Sequence, residues 1–224
     1  MLTGEFRAVF VLDDSFGPLK RRAKEVVMDG KGHDYPSESI IGTTLNGYDV
    51  VIYCDGREVF NATVYFNEFL YELLRFGFYA ITGEIPENLE FHGLECRGVR
   101  DIPEWLSRDV GILKGLLGDK FRELTSKPFL ASSFGSYDPT LGVYLFKEDG
   151  YTYLVSLNYR RVCRVPVGEF VGVVVETVEG AVRELESATQ IFEESGIKEY
   201  GKMINDYKKL LRELKELSKG AERG

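Results

Sequence analysis

Glutamine is almost missing from this chain of 224 residues: Gln190 is the only one, whereas glutamate and lysine are plentiful. Avoiding thermolabile amides while favouring ion-forming side chains is a hyperthermophile tendency, so a thermophilic source is expected. Histidine is nearly as scarce, with only His33 and His92. That confines imidazole-based catalysis and metal binding to few arrangements. The three cysteines, Cys54, Cys96 and Cys163, are odd in number and lack the close pairing of a zinc motif or a disulfide framework. They are expected to be buried thiols. A Cys54–Cys163 bond stays open as an alternative, because intracellular disulfides do occur in hyperthermophiles.

Long apolar runs are absent, and none reaches the roughly 18 to 20 residues that a membrane span needs. The start, MLTGEFRAVFVLDD, has no basic stretch followed by an apolar core. A cytoplasmic protein without membrane contact is expected. Positive charge is also in deficit, 28 Lys and Arg against 36 Asp and Glu, for a net charge of −8. An acidic chain is ill suited to coating nucleic acid or anionic lipid, since phosphate binding needs a basic footprint.

What remains is a globular composition, 44% apolar and 29% charged, in a chain long enough for one large domain or two small ones. Glu5 to Leu12 reads as a strand buried on both faces, and the stretch LKRRAKEVVMDGKG after it fits either a strand or a short helix, the strand being preferred. Asn46-Gly47 and Asp55-Gly56 are strong signals for two-residue hairpin turns, so residues 40 to 65 are expected to form a three-stranded meander. Leu45 would then pair with Tyr48, and Ile52 with Val59. Phe66, Phe69, Leu70, Leu73 and Leu74 follow at helical spacing, with Asn67 as a possible cap and Gly83 as a stop. A second helical pattern, Glu104 to Leu124, is broken by three glycines and should yield short helices.

The second half repeats the plan. After the small-residue loop ASSFGSYDP, Asp149-Gly150 separates strand-like runs at Gly142–Glu148 and Tyr151–Leu157, and Arg161–Val165 makes a third. A helix is expected from Val167 to Glu194, where apolar residues from Phe170 to Phe192 form one stripe. Ile197, Tyr200, Ile204, Tyr207, Leu211 and Leu214 mark a last amphipathic helix, which Ser195-Gly196 would fold back into a hairpin. The fold class is thus α+β: two antiparallel β-meander units, each followed by a packing helix, with a C-terminal helical hairpin. The units divide at residues 1–127 and 128–224, either as two bodies or as one continuous domain. In both, the Asp-Gly pair is explained as a turn, without any ligand role.

Candidate chemistry is thin. Asp13 and Asp14 follow a strand, where phosphoryl-transfer enzymes often place a carboxylate, but Ser15 stands where a second spaced carboxylate would be needed. His92 and Cys96, with Glu95 between them, offer metal donors in a spacing that matches no zinc pattern. Ser132, Ser133 and Ser136 lack the Gly-x-Ser-x-Gly context of a nucleophile. Arg160, Arg161 and Arg164 lie close in sequence to Tyr151, Tyr153 and Tyr159, a set suited to holding a phosphate and stacking on a base. The leading expectation is a non-catalytic interaction or regulatory protein that forms a homodimer through the final helix, with no cofactor and with a protein partner possible. A metal-assisted hydrolase or phosphotransferase using Asp13, Asp14, His92 or Cys96 is the alternative. Nucleotide or RNA binding through Arg160, Arg161 and Arg164 is the third.

Overall fold

The two Asp-Gly pairs do sit at hairpin tips. Asp55 and Gly56 have φ of 52° and 67°, and Asp149 and Gly150 have 47° and 78°. Positive φ at both central residues is what a type I′ turn demands, and Asp tolerates it while Gly meets it without a Cβ penalty. The computed structural model that shows this describes residues 6–11, 19–87, 89, 93–104, 107–138 and 141–221. In chain order its elements are β1 (Phe6–Val11), α1 (Leu19–Gly32), α2 (Ser37–Leu45), β2 (Asn46–Cys54), β3 (Arg57–Tyr65), α3 (Phe66–Thr82), β4 (Leu94–Cys96), α4 (Ser107–Leu117), α5 (Phe121–Leu124), β5 (Phe129–Ser132), β6 (Val143–Glu148), β7 (Tyr151–Ser156), β8 (Arg161–Pro166), α6 (Val167–Glu194) and α7 (Glu199–Ala221). The strands form two antiparallel sheets, β1-β2-β3 and β4-β5-β6-β7-β8. The class is α+β as expected, with a helix after each meander and a C-terminal helical pair.

Several local readings are corrected. The basic stretch after β1 is helix α1, because Leu19, Ala23, Val27 and Gly30 are its buried residues, at helical and not alternate spacing. Residues 40 to 45 belong to helix α2, where the Thr44 hydroxyl donates to the Ile40 carbonyl at 2.8 Å. Asn46 is extended, with φ of −86°, so Asn46-Gly47 does not meet the I′ requirement and Leu45 does not pair with Tyr48. The third strand of the first sheet is β1, paired along β2 from Phe6–Cys54 to Val11–Asp49. An irregularity between Ile52 and Tyr53 shifts Ile52 opposite Phe60, one place beyond Val59. Asn67 lies inside α3 and caps nothing; the cap position is Tyr65, which makes no side-chain cap bond. Gly83 does end that helix, with φ of 79° and its N–H donating to the Tyr79 carbonyl at 2.8 Å.

The five-stranded sheet is buried on both faces, and its period-2 alternation separates two cores. Leu130, Val143, Leu145, Leu154, Cys163 and Val165 join the larger core with β2, β3, α3, α6 and α7. Phe129, Ala131, Tyr144, Phe146, Tyr153 and Val155 face the other way, against Leu113 and Leu117 of α4 and Leu124 of α5. Phe134 joins the loop after β5 to the larger core, its ring against Phe60, Phe69 and Phe76. That position has φ of 52°, and Ser132 supports it by accepting the Phe134 N–H at 2.9 Å.

A bond between Cys54, at the end of β2, and Cys163, in β8, ties the two sheets together, with 6.1 Å between the Cα atoms. The expectation of three free thiols therefore holds only for Cys96, which is buried. Helix α7 lies along α6 as the expected hairpin, turning at Gly196 with φ of 80°. Its apolar stripe is inside the chain: Tyr200, Ile204, Tyr207, Leu211 and Leu214 are all buried. Among the described residues no helix is long and apolar enough to cross a membrane.

Candidate anion-binding cleft

The layer over the outer face of the five-stranded sheet is built from short pieces, and their joints form a cleft. Gly118, with φ of 56°, ends the regular winding of α4. A 3₁₀ turn, Gly118–Lys120, then leads into the single-turn helix α5. The loop after β4 is stitched to the end of α5 by the Val99 N–H, which donates to the Thr125 carbonyl at 2.8 Å. Within that loop the Arg97 N–H donates to Asp101 Oδ2 at 3.0 Å. Between loop, α4 and α5 opens a cleft of about 980 Å³ whose cationic walls are Arg97, Arg100, Lys114 and Arg122. Asp101, Asp119, Thr125 and Ser126 add polar groups, and Val99 and Phe121 supply apolar surface.

None of those four cations is held in an ion pair among the described residues. Their charges face solvent and cleft, in a chain whose net charge is −8. A cluster of unpaired positive groups around a concavity concentrates anions there, and guanidinium groups match carboxylate and phosphate oxygens in bidentate geometry.

The opposite flank of α5 is bonded to the β6–β7 hairpin. Lys120 Nζ donates to Glu123 Oε2 at 2.8 Å and to Glu148 Oε2 at 2.9 Å, and Lys127 Nζ stands 4.0 Å from Glu148 Oε1. The Tyr153 hydroxyl donates to Glu148 Oε2 at 3.2 Å. The hydrogen bonds to Glu123 and then Glu148 raise the Lys120 pKa. Contact with Glu148 and then Lys120 lowers that of Glu123. Underneath, the Tyr144 hydroxyl donates to the buried Asp109 Oδ2 at 2.9 Å and fixes the start of α4 on the sheet.

Among the described residues, Cys96 and the pair Arg161 and Arg164 stand on the two edge strands of the five-stranded sheet, β4 and β8, and do not meet. Asp13, Asp14 and His92 lie outside the described residues. Cys96 ends β4 inside the second core, and burial, followed by the charge of Asp101, pushes its thiol up to about 12. Such a thiol is protonated at neutral pH and is a poor nucleophile or ligand in that state. Arg161 and Arg164 occupy opposite faces of β8. Arg161 donates to the Glu58 carbonyl, while Arg164 lies over the Tyr151 ring, 3.4 Å from its centroid. Arg160 sits in the preceding turn with φ of 49°.

The four cleft cations went unnoticed in sequence because no two are adjacent. A signal existed at segment scale: residues 97 to 127 carry seven basic against five acidic side chains, the reverse of the chain's overall balance. No protein-family model, curated protein or solved structure matches this chain.

Proposed function

We propose that the protein is a non-catalytic, regulatory binder of a small, multiply charged anion, a phosphorylated organic molecule, held between the 97–101 loop, α4 and α5. The observation that carries this is the set Arg97, Arg100, Lys114 and Arg122, unpaired among the described residues around one cleft. Phe121 and Val99 give the organic part of the ligand an apolar wall. A long nucleic acid fits less well, because the rest of the acidic surface repels it. Self-association through α7 draws no support from the apolar stripe, which the chain buries itself. The metal-assisted alternative draws none from Cys96, whose thiol is buried and neutral. The same reading keeps the chain in the cytoplasm of a heat-adapted cell, where a single glutamine and an intracellular disulfide are compatible.

Calorimetric titration with pyrophosphate and with a nucleoside diphosphate tests the reading. One site is expected, with affinity falling as salt rises. Arg97→Ala and Arg122→Ala should each weaken it about 10-fold, the loss of one charge-assisted hydrogen bond of about 1.5 kcal/mol. Both side chains are exposed, so the fold should not change. Absence of heat with either ligand at millimolar concentration would sink the proposal.

A further inference from the structure

At the tip of the β6–β7 hairpin, one carboxylate oxygen from each of Glu123, Glu148 and Asp149 lies within 4.8 Å of the other two. Calcium takes six to eight oxygen ligands in a flexible arrangement, so it tolerates a trio of carboxylates that the fold does not set in one strict geometry. Magnesium demands near-ideal octahedral geometry and gives up its water reluctantly, so it suits such a site less well. Acidic groups crowd many surfaces, and proximity alone means little. Glu148 adds a separate fact: its side chain is 2% exposed, and its Oε1 has no hydrogen-bond partner among the described residues. Lys127 Nζ stands 4.0 Å from that oxygen, beyond hydrogen-bond distance. A buried carboxylate oxygen without a donor is the kind of group a metal ion satisfies, and glutamate commonly gives both oxygens to calcium.

We propose that Glu123, Glu148 and Asp149 form a binding site for a divalent cation of the calcium type, for which the Lys120 ammonium is the built-in competitor. Lys120 bridges Glu123 and Glu148, and its side chain is 41% exposed, free to swing outward. Glu148 is the fixed ligand, anchored by Tyr153 on β7. Asp149 and Glu123 are exposed and leave the solvent side open for water ligands. Competition by the lysine makes the site weak, since the ammonium must leave both carboxylates before the ion can take them. The site stands on the flank of α5 facing away from the cleft and does not depend on what the cleft binds.

Terbium, a calcium surrogate excited through nearby tyrosine, is the probe. The Tyr153 hydroxyl is 3.2 Å from Glu148 Oε2, so a terbium ion bound there should emit on tyrosine excitation. The full-length protein should show saturable emission at one equivalent, displaced by excess calcium. Lys120→Met should bind terbium about 10-fold more tightly. Asp149→Asn, which keeps a residue tolerant of the turn's positive φ, should bind about 10-fold more weakly without altering the fold. Glu148→Gln should abolish emission. Two results overturn the proposal: no sensitised emission from either the native protein or Lys120→Met, or emission that Asp149→Asn and Glu148→Gln leave unchanged, which would place the ion elsewhere on the acidic surface.

Discussion

Several buried tyrosines use their hydroxyls to bond a backbone carbonyl of a neighbouring helix or loop. Tyr200 donates to the Leu185 carbonyl at 2.8 Å, Tyr207 to the Asn67 carbonyl at 3.0 Å, and Tyr79 to the Pro128 carbonyl. Burial pushes Tyr48 and Tyr79 up to about 12 from an ordinary 10.0. It moves Tyr144, Tyr200 and Tyr207 further in the same direction. In the unfolded chain these phenols ionise near their ordinary value, while the folded chain retains the protons. Their contribution is therefore fully present below pH 10 and is lost as pH rises towards 12 and beyond. Each such phenol removes up to about 1.4 kcal/mol of stability per pH unit in that window. The urea midpoint should stay level from about pH 7 to 9 and fall steeply above about 10, with a shallower fall in Tyr200→Phe. A midpoint unchanged at about pH 11 would show that the hydroxyls are not held protonated by the fold.

Among the elements, α3 is the pivot. A Cβ added at Gly77 would lie 3.0 Å from side-chain atoms of both Leu214 and Val174, so α3 touches α6 and α7 where a side chain has no room. Helix α7 is consequently part of the core and not an appendage. A chain ending at residue 196 would uncover Phe192, stacked at 3.9 Å on Tyr200, together with the partners of Ile204, Tyr207, Leu211 and Leu214. Such a truncation should lose cooperative unfolding and near-ultraviolet dichroism altogether. A truncated chain that still melts sharply as a monomer would show α7 to be peripheral. The stripe from Ile197 to Leu214 was legible in sequence, as were both Asp-Gly hairpins, because each rests on a local period or on a backbone angle few residues accept. Helix α1 was harder to read. Its buried residues include only Leu19, Ala23, Val27 and Gly30, separated by lysines and arginines that suit either secondary structure. The cleft was legible only as a locally basic segment, since Arg97, Arg100, Lys114 and Arg122 meet only after the joint at Gly118 folds α5 back beside the 97–101 loop. Conversely, Arg161 and Arg164 are close in sequence yet separated by the alternation of a strand.

At the scale of the molecule, the two sheets are held in register by packing around Phe134 and by the Cys54–Cys163 bond, whose sequence separation is 109 residues. Cross-linking a loop of that size restricts the unfolded chain strongly, by about 4.7 kcal/mol in the chain-entropy model for a 100-residue loop. Both cysteines are fully buried, so reductant reaches the bond only when the structure opens. Alkylation of the unreduced chain in denaturant should accordingly label Cys96 alone, and labelling of all three thiols would remove the bond from the argument. Replacing both cysteines by alanine should lower the melting temperature by roughly 10 to 20 °C, taking about 2 to 4 °C per kcal/mol for a chain of this size. The cleft proposed to bind anions, which sits on the far side of the five-stranded sheet from the bond, should keep its affinity in that variant at temperatures where it remains folded. If affinity falls in parallel with stability, the outer layer would depend on the larger core, and the chain would act as one cooperative unit. If it does not, the α4–α5 layer would carry its own stability on a sheet that the bond merely anchors.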